Sequence, residues 1–525
     1  MTGEGRSASG PQGPGDRAGP PVTDRPRWAL VVAILGSSMA FLDGSVVNVA
    51  LPVIQRDLGV AVELAQWIVE AYALLLASLV LVGGVLGDRF GRRRALLAGV
   101  AVFAVASAGC GLAPDVYVLI AARAVQGIGA ALLVPGSLSL ISAAYADERA
   151  RGAAIGTWSA ASAVLGALGP VAGGWVASHA SWRWLFVFNV PIAVLTVAIA
   201  LARVAETRDD RADARVDVPG AALATLALGL MVYGLLEAGT RGAVGARIAG
   251  SLAASAVLGA AFVVFEARAA APMVPLALFR SRTFSGANLL TLLLYGALGG
   301  GLFFLPFDLI QVQGYTPAVA GASLLPLVVL VAVMSRAAGA LAGRIGARGP
   351  LIVGSLVASA GFALLAVPAI GGGYWRTFFP GVAVLGAGLG VTVAPLTTAV
   401  MGSVESRHAG LASGINNAVA RAAGLLAVAA IGLLLVARFD AVLDARLGTM
   451  HLSADVARAV DSERGKLAAA VLPARIDAAL AADLRRAIDD AYVAAFRVTM
   501  MTCAALCALG AIAAAVLVEP VRRRG

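Results

Sequence analysis

The chain of 525 residues predicts an all-α integral membrane protein, on three observations. Hydrophobic residues make up 60% and charged residues 13%, with a mean hydropathy of +0.88; a soluble protein of this length is far less apolar. Apolar runs of about 20 residues, the length a helix needs to cross hydrocarbon, recur throughout. A glycine- and arginine-rich segment, GVLGDRFGRRRAL at Gly84–Leu96, returns in weaker form 255 positions later as GALAGRIGAR at Gly339–Arg348. That recurrence implies a duplicated bundle.

Residues 1–27 are rich in Gly, Pro, Ser and Arg and hold no apolar stretch; they read as a disordered tail, without the apolar core and cleavage site of a signal peptide. Candidate spans then begin near Trp28, Leu64, Ala95, Val116, Gly152, Trp184, Val218, Ile248, Phe284, Ala318, Leu351, Thr377, Ala409 and Val493, fourteen in all. Alternate connections collect the arginines: 88–94, 147–151, 203–215, 266–282, 344–348, 405–408 and the tail 521–525. Positive charge stays on the cytoplasmic side, so both termini are expected there. The net charge of +10 is thereby spent on orientation, and no nucleic-acid partner is implied. Residues 438–492 interleave Asp, Glu and Arg with Val, Leu and Ile and read as an amphipathic extracytoplasmic loop or hairpin.

Charges inside the apolar runs are the candidate working parts. Asp43 lies about 15 residues past Trp28, roughly 20 Å into the membrane at 1.5 Å per residue. A carboxylate there costs about 2.5 to 3.5 kcal/mol, so it is expected to face a cavity or a partner. Glu70 in the second span is either a second protonatable group, a recognition site for cations, or an acid at the lipid interface. Arg123 in the fourth span keeps its charge and needs an acceptor, which Asp43 or Glu70 can supply. Protonating that carboxylate weakens the attraction and gives a switch between two helix arrangements. Further polar positions in apolar surroundings are Asn48, Trp67, Tyr72, Gln126, Asp308, Asn416, Asn417 and Arg421, taken as possible cavity residues. Gly84, Asp88, Arg89, Gly91 and Arg92 sit where their charge is too costly for lipid, hence in a loop at the membrane surface. In the fifth span, Gly166, Gly169, Pro170, Gly173 and Gly174 make a thin, bendable contact strip.

These strings together resemble the major facilitator superfamily, and within it the fourteen-helix drug:proton antiporters. The 84–96 segment is similar to the loop between that superfamily's second and third helices, LDGSVVNVALP to its first-helix motif, the Arg123, Gln126, Gly127 and Gly129 pattern to its fourth helix, and GALGPVAGG to the antiporter motif of its fifth. SWRWLFVFNVPI at Ser181–Ile192 extends the match into the sixth span. The resemblance implies two six-helix bundles, 28–203 and 284–518, joined by a linker at 204–283 with two additional helices, and a cytoplasmic tail at 519–525. It further implies proton or cation handling by Asp43, a cytoplasmic gate at Gly84–Arg92, and a pivot at Gly166–Gly174; Glu70 is less expected in that helix of the family, and its part in proton coupling, like that of Arg123, is read from the charge in an apolar run. Because Gly343 replaces the aspartate in the second copy, any carboxylate latch is expected in one half only.

No GxxxxGK[ST] loop is present, and Lys466 is the sole lysine, so the usual ATP chemistry has no seat. HExxH, GxSxG and CxxC sets are likewise missing, and His179, His408 and His451 are scattered; neither an enzyme nor a metal site nor a cofactor is expected. Energy is left to a proton gradient. One charge crossing 100 mV yields about 2.3 kcal/mol, against about 1.4 kcal/mol for a tenfold gradient. The expectation is a monomeric, proton-coupled exporter of amphipathic small molecules in the bacterial cytoplasmic membrane, with the lipid bilayer and its cargo as partners. The rivals are an exporter dedicated to a metabolite or siderophore, and a non-transporting membrane sensor or scaffold.

Overall fold

The computed structural model describes residues 26–520 apart from 146, 209–216, 242–244, 270–271, 406–408, 451 and 474–475. The tails expected at 1–27 and 519–525 therefore lie largely outside the described residues, as do residues 209–215 of the connection at 203–215 and 406–408 of that at 405–408. Every regular element among the described residues is helical. Among the described residues, thirteen helices are long and apolar enough to cross a membrane by length and composition, against the fourteen spans expected.

The first group comprises α1 (Pro26–Leu58), α2 (Val62–Phe90), α3 (Arg92–Gly111), α4 (Val116–Ala144), α5 (Glu148–His179), the short α6 (Trp184–Val187) and α7 (Asn189–Arg203). Asp115 and Asp147 start α4 and α5 by accepting hydrogen bonds from free backbone N–H groups, Tyr117 N at 2.8 Å and Ala150 N at 2.8 Å, as N-caps do. Within the group, α2 and α3 pack on α4, and α1 packs on α4, α5 and α7. A second group repeats the plan with α10 (Arg282–Phe307), α11 (Pro317–Ala322), α12 (Leu325–Ile345), α13 (Arg348–Leu365), α14 (Tyr374–Gly402), α15 (Ala409–Leu447), the short α16 (Ala454–Glu463) and α17 (Ala478–Leu517). Pro306 removes a backbone donor just before α10 widens into a π-helical turn at Asp308–Val312.

Between the groups, α8 (Val218–Arg241) and α9 (Ala246–Arg268) pack on each other, and α8 also lies on both α2 and α15. Val232 and Leu236 of α8 meet Leu425 and Ala429 of α15, with Trp67 and Leu74 of α2 against them. The seam between the two groups is covered there.

Two sequence expectations change. The 84–96 segment is not a loop: Gly84 to Phe90 are the last turns of α2 and Arg92 onward the first of α3, joined by Gly91 alone. Gly91 has φ +110°, and Gly346, its counterpart in the second copy, has φ +89°; both values suit glycine and not an L side chain. The 438–492 stretch is also mostly helical. α15 runs on to Leu447 and α17 starts at Ala478, well before Val493. Beyond the apolar part, buried Phe439, Leu443, Leu484 and Ile488 continue the inward faces. The charges pair on the outward ones, Arg446 with Asp490 at 3.1 Å and Arg464 with Asp444 at 2.6 Å. Only 448–477 connects them, holding α16 and a 3-10 turn at Arg464–Ala469.

Candidate functional site: a charged cavity between two helical halves

A cavity of about 350 Å³ lies between the halves, lined by α1 (Gly44, Asn48), α2 (Glu70, Tyr72), α4 (Arg123), α10 (Tyr295, Phe303) and α15 (Arg421). Its volume falls in the range of small-molecule sites.

Behind one wall lies a buried polar chain. Arg123 and Asp43, 1% and 2% exposed, form an ion pair between Nη1 and Oδ2. Arg123 Nε donates to the Ile68 carbonyl at 2.9 Å and Nη1 to Gln126 Oε1 at 2.7 Å. Gln126 Nε2 returns to Asp43 Oδ1 at 2.9 Å and reaches Ser107 Oγ at 3.2 Å, to which Asn189 Nδ2 also donates at 2.9 Å. The Arg123 guanidinium stacks on the Tyr72 ring, 4.2 Å from its centroid, a favourable cation–π contact. Five helices, α1, α2, α3, α4 and α7, are thereby tied to one charge pair. Of the two acids weighed as partner for Arg123, Asp43 is the one it meets.

Glu70 is different. It is 1% exposed, lines the cavity, and neither carboxylate oxygen has a hydrogen-bond partner. Arg421 faces the same cavity from the opposite half, and Asn48 presents an Oδ1 that is also without a partner. Tyr72 lines it while donating to the Ala40 carbonyl at 3.2 Å.

The other expected cavity residues lie elsewhere. Gln126 is in the polar chain, not the lining; Trp67 packs in the seam under α8. Asp308, 1% exposed, sits in the π-helical turn beside Gln313 at 3.4 Å. Asn416 donates inside its own half to Asn288 Oδ1 at 3.1 Å and Thr291 Oγ1 at 2.7 Å. Asn417 is exposed and bonds back to the Ser413 carbonyl at 3.1 Å. These misplacements share a cause: polarity marks a residue as notable, but helix rotation decides which side it faces. The α10 wall, Tyr295, Leu298, Gly299, Leu302 and Phe303, carries no charge and left no signal in the sequence. Ser107 and Asn189, also missed, are polar residues in apolar helices and were findable on that basis.

The glycine strip of α5 is a backbone contact surface in two directions. A Cβ at Gly169 would collide with Ser45 of α1, and one at Gly173 would lie 2.7 Å from the Val46 carbonyl. Gly174 abuts the Pro317 carbonyl of α11, and Gly321 of α11 in turn abuts the Pro170 carbonyl. Gly166 stands apart with open space around it. α5 thus touches its own half and the other half at van der Waals distance.

The side-chain hydrogen bonds described between the halves gather at the end that carries 448–477: Gln66 Nε2 to the Val428 carbonyl at 2.9 Å, Gln311 Nε2 to Gln55 Oε1 at 2.9 Å, Gln55 Nε2 to the Lys466 carbonyl at 3.5 Å, and Ala318 N to Ser178 Oγ at 3.1 Å. At the Gly91 end, the chain following α7 clasps the α2–α3 junction. Glu206 accepts from Arg93 N at 3.0 Å and Arg94 N at 3.1 Å, Arg92 N donates to the Thr207 carbonyl at 2.9 Å, and Arg93 Nη1 to the Val204 carbonyl at 2.8 Å. The second copy repeats the last contact, since Arg348 donates to the Ala515 carbonyl. Arg89 is exposed and stacks on Phe90 at 5.3 Å. Gly84 lies within α2, and the side chain of Asp88 is outside the described residues. No group of three or more His, Cys, Asp or Glu able to hold a metal is found among the described residues.

Two helical halves enclosing a charged cavity, in a chain built of membrane-length helices, define a multi-pass membrane transporter rather than an enzyme. Residues 33–428 match the Major Facilitator Superfamily, and the chain belongs to that family. It is 36% identical over 418 residues to the multidrug resistance protein Stp of Mycobacterium tuberculosis, covering 80% of this chain and 77% of that protein. It is 35% identical over 417 residues to the tetracenomycin C resistance and export protein of Streptomyces glaucescens, covering 79% and 77%. Among solved structures it resembles a bacterial homologue of the human lysosomal transporter Spinster in an inward-facing, occupied conformation, with a TM-score of 0.64, 16% identity, and coverage of 94% and 96%.

Proposed function

We propose that this transporter is a proton-coupled antiporter that exports amphipathic small molecules, antibiotics among them, across the bacterial cytoplasmic membrane by alternating access. The observation that carries the reading is the buried Asp43–Arg123 pair beside a cavity whose other acid, Glu70, has no partner. A charge pair sealed from water is worth keeping in a transporter if its acid takes up and gives back a proton. Protonating Asp43 frees Arg123, which also holds Gln126 and the Ile68 carbonyl, so the event reaches five helices through the Gln126–Ser107–Asn189 chain. The resistance and export proteins similar in sequence support the drug-efflux part. With 448–477 outside and the Gly91 end cytoplasmic, the halves are closed outside, as required of a state that loads cargo from within.

The test is expression in an efflux-deficient bacterium with a panel of dyes and antibiotics, with and without an uncoupler. We expect extrusion that collapses with the proton gradient, and loss of gradient-driven extrusion in Asp43→Asn at unchanged membrane abundance. Extrusion that survives the uncoupler, or wild-type extrusion by Asp43→Asn, rejects the coupling.

A further inference from the structure

The central cavity is lined by an acid and a base that the protein does not answer. Glu70 on α2 is buried with both oxygens free of hydrogen-bond partners. Arg421 on α15 lines the same cavity and makes no hydrogen bond or ion pair to any described residue. The remaining pair, Asp43 and Arg123, is self-neutralised. A lone charge in a membrane-embedded wall is costly unless something compensates it, and here the compensation must come from what enters. The acid belongs to one half and the base to the other, with the rings of Tyr72, Tyr295 and Phe303 in the lining.

We propose that the cavity selects zwitterionic amphipathic cargo: a cationic nitrogen against Glu70, an acidic oxygen against Arg421, and an apolar body along the aromatic lining. This rests on the exporter reading above and names its substrate class. The planar fork of Arg421 suits a carboxylate. A cargo with only a cation leaves Arg421 uncompensated and repelling, and one with only an anion leaves the Glu70 carboxyl without a partner. The arrangement also accounts for exchange. A proton arriving on Glu70 removes the partner of the cargo's cation, so proton and cargo compete for one carboxylate while Arg421 holds the acidic end alone.

The test uses the full-length protein in lipid nanodiscs and fluorescence anisotropy with three xanthene dyes: a rhodamine bearing a free carboxylate, its ethyl ester, which is a cation only, and fluorescein, which is an anion only. The free acid is expected to bind at least about tenfold more tightly than either of the others. Arg421→Gln is expected to bring the acid-to-ester affinity ratio to about one, and Arg421→Lys, which keeps the charge but not the fork, to give an intermediate ratio. Equal affinity for acid and ester in the unmodified protein overturns the proposal whether or not the variants fold. So does a ratio that survives Arg421→Gln in monodisperse protein. Extrusion from cells separates the two readings: gradient-driven export of the ester but not the acid leaves the exporter standing and sinks the zwitterion, whereas preferred binding of the acid with no export of any dye or antibiotic does the reverse.

Discussion

At the residue scale, the decisive contact is a charge pair inside a span. Arg123 and Asp43 are valuable to each other mainly because either alone would be buried without compensation; breaking such a pair from one side costs about 3 to 5 kcal/mol, while replacing both with apolar groups is often neutral. Arg123→Leu is therefore expected to lower the thermal unfolding temperature in detergent markedly, and the Asp43→Leu/Arg123→Leu double variant to recover it without recovering transport. A double variant as unstable as Arg123→Leu would contradict this account. In the 448–477 connection, burial pushes Glu463 up, but the hydrogen bond from Lys466 at 2.7 Å, the backbone bond from Val471 at 3.1 Å and the lysine's charge outweigh it, so its carboxyl lies below the ordinary 4.5. A carboxyl lowered by folding stabilises the fold above its unfolded value and loses that contribution as pH falls through the folded one. Hydrogen-exchange protection across 453–471, taken relative to the intrinsic rate at each pH, is expected to be flat above pH 5 and to fall below about pH 4.5; Glu463→Gln should remove most of that acid step. Asp43, Glu70 and Arg123 were legible because a charge in an apolar run has few innocent explanations. Which acid Arg123 meets was not, since that depends on how α1, α2 and α4 are rotated.

At the element scale, the helices follow from the apolar runs, and the departures have local causes. The 84–96 segment looked like a loop because its charge excludes it from lipid, yet charged residues can end one helix and begin the next when a single Gly91 at φ +110° turns the chain. The 438–492 stretch read as an amphipathic loop or hairpin because its hydropathy is mixed, and within it α15 and α17 outlast the apolar part and pair Arg446 with Asp490 across the gap. The α5 glycines divide by contact. Overpacking costs about 1 to 3 kcal/mol, so Gly173→Ala and Gly174→Ala, facing the Val46 and Pro317 carbonyls, are expected to cut efflux roughly tenfold, and Gly166→Ala, with open space, to leave it near wild type. Equal effects at all three positions would mean that the strip does not act through these contacts.

At the scale of the whole molecule, the two halves touch at one end and part around the cavity. A device that locks the touching end should stop the cycle. Oxidising a Ser178→Cys/Ala318→Cys variant, whose positions are bridged by a hydrogen bond of 3.1 Å, is expected to abolish efflux until a reductant is added; full turnover by cross-linked protein would show that the halves need not separate there. The native cysteines, Cys110, Cys503 and Cys507, are buried and do not compete. The sequence by itself determined the helical membrane class, the duplicated plan, the family and the charged residues worth watching, because hydropathy, spacing and charge are properties of consecutive residues. The tertiary structure decided that Asp43 rather than Glu70 neutralises Arg123, that Arg421 and Glu70 share a cavity with an uncharged α10 wall, and that Asp308, Asn416 and Asn417 do not. Those outcomes depend on which faces of helices hundreds of residues apart are turned toward one another, and no local pattern encodes that.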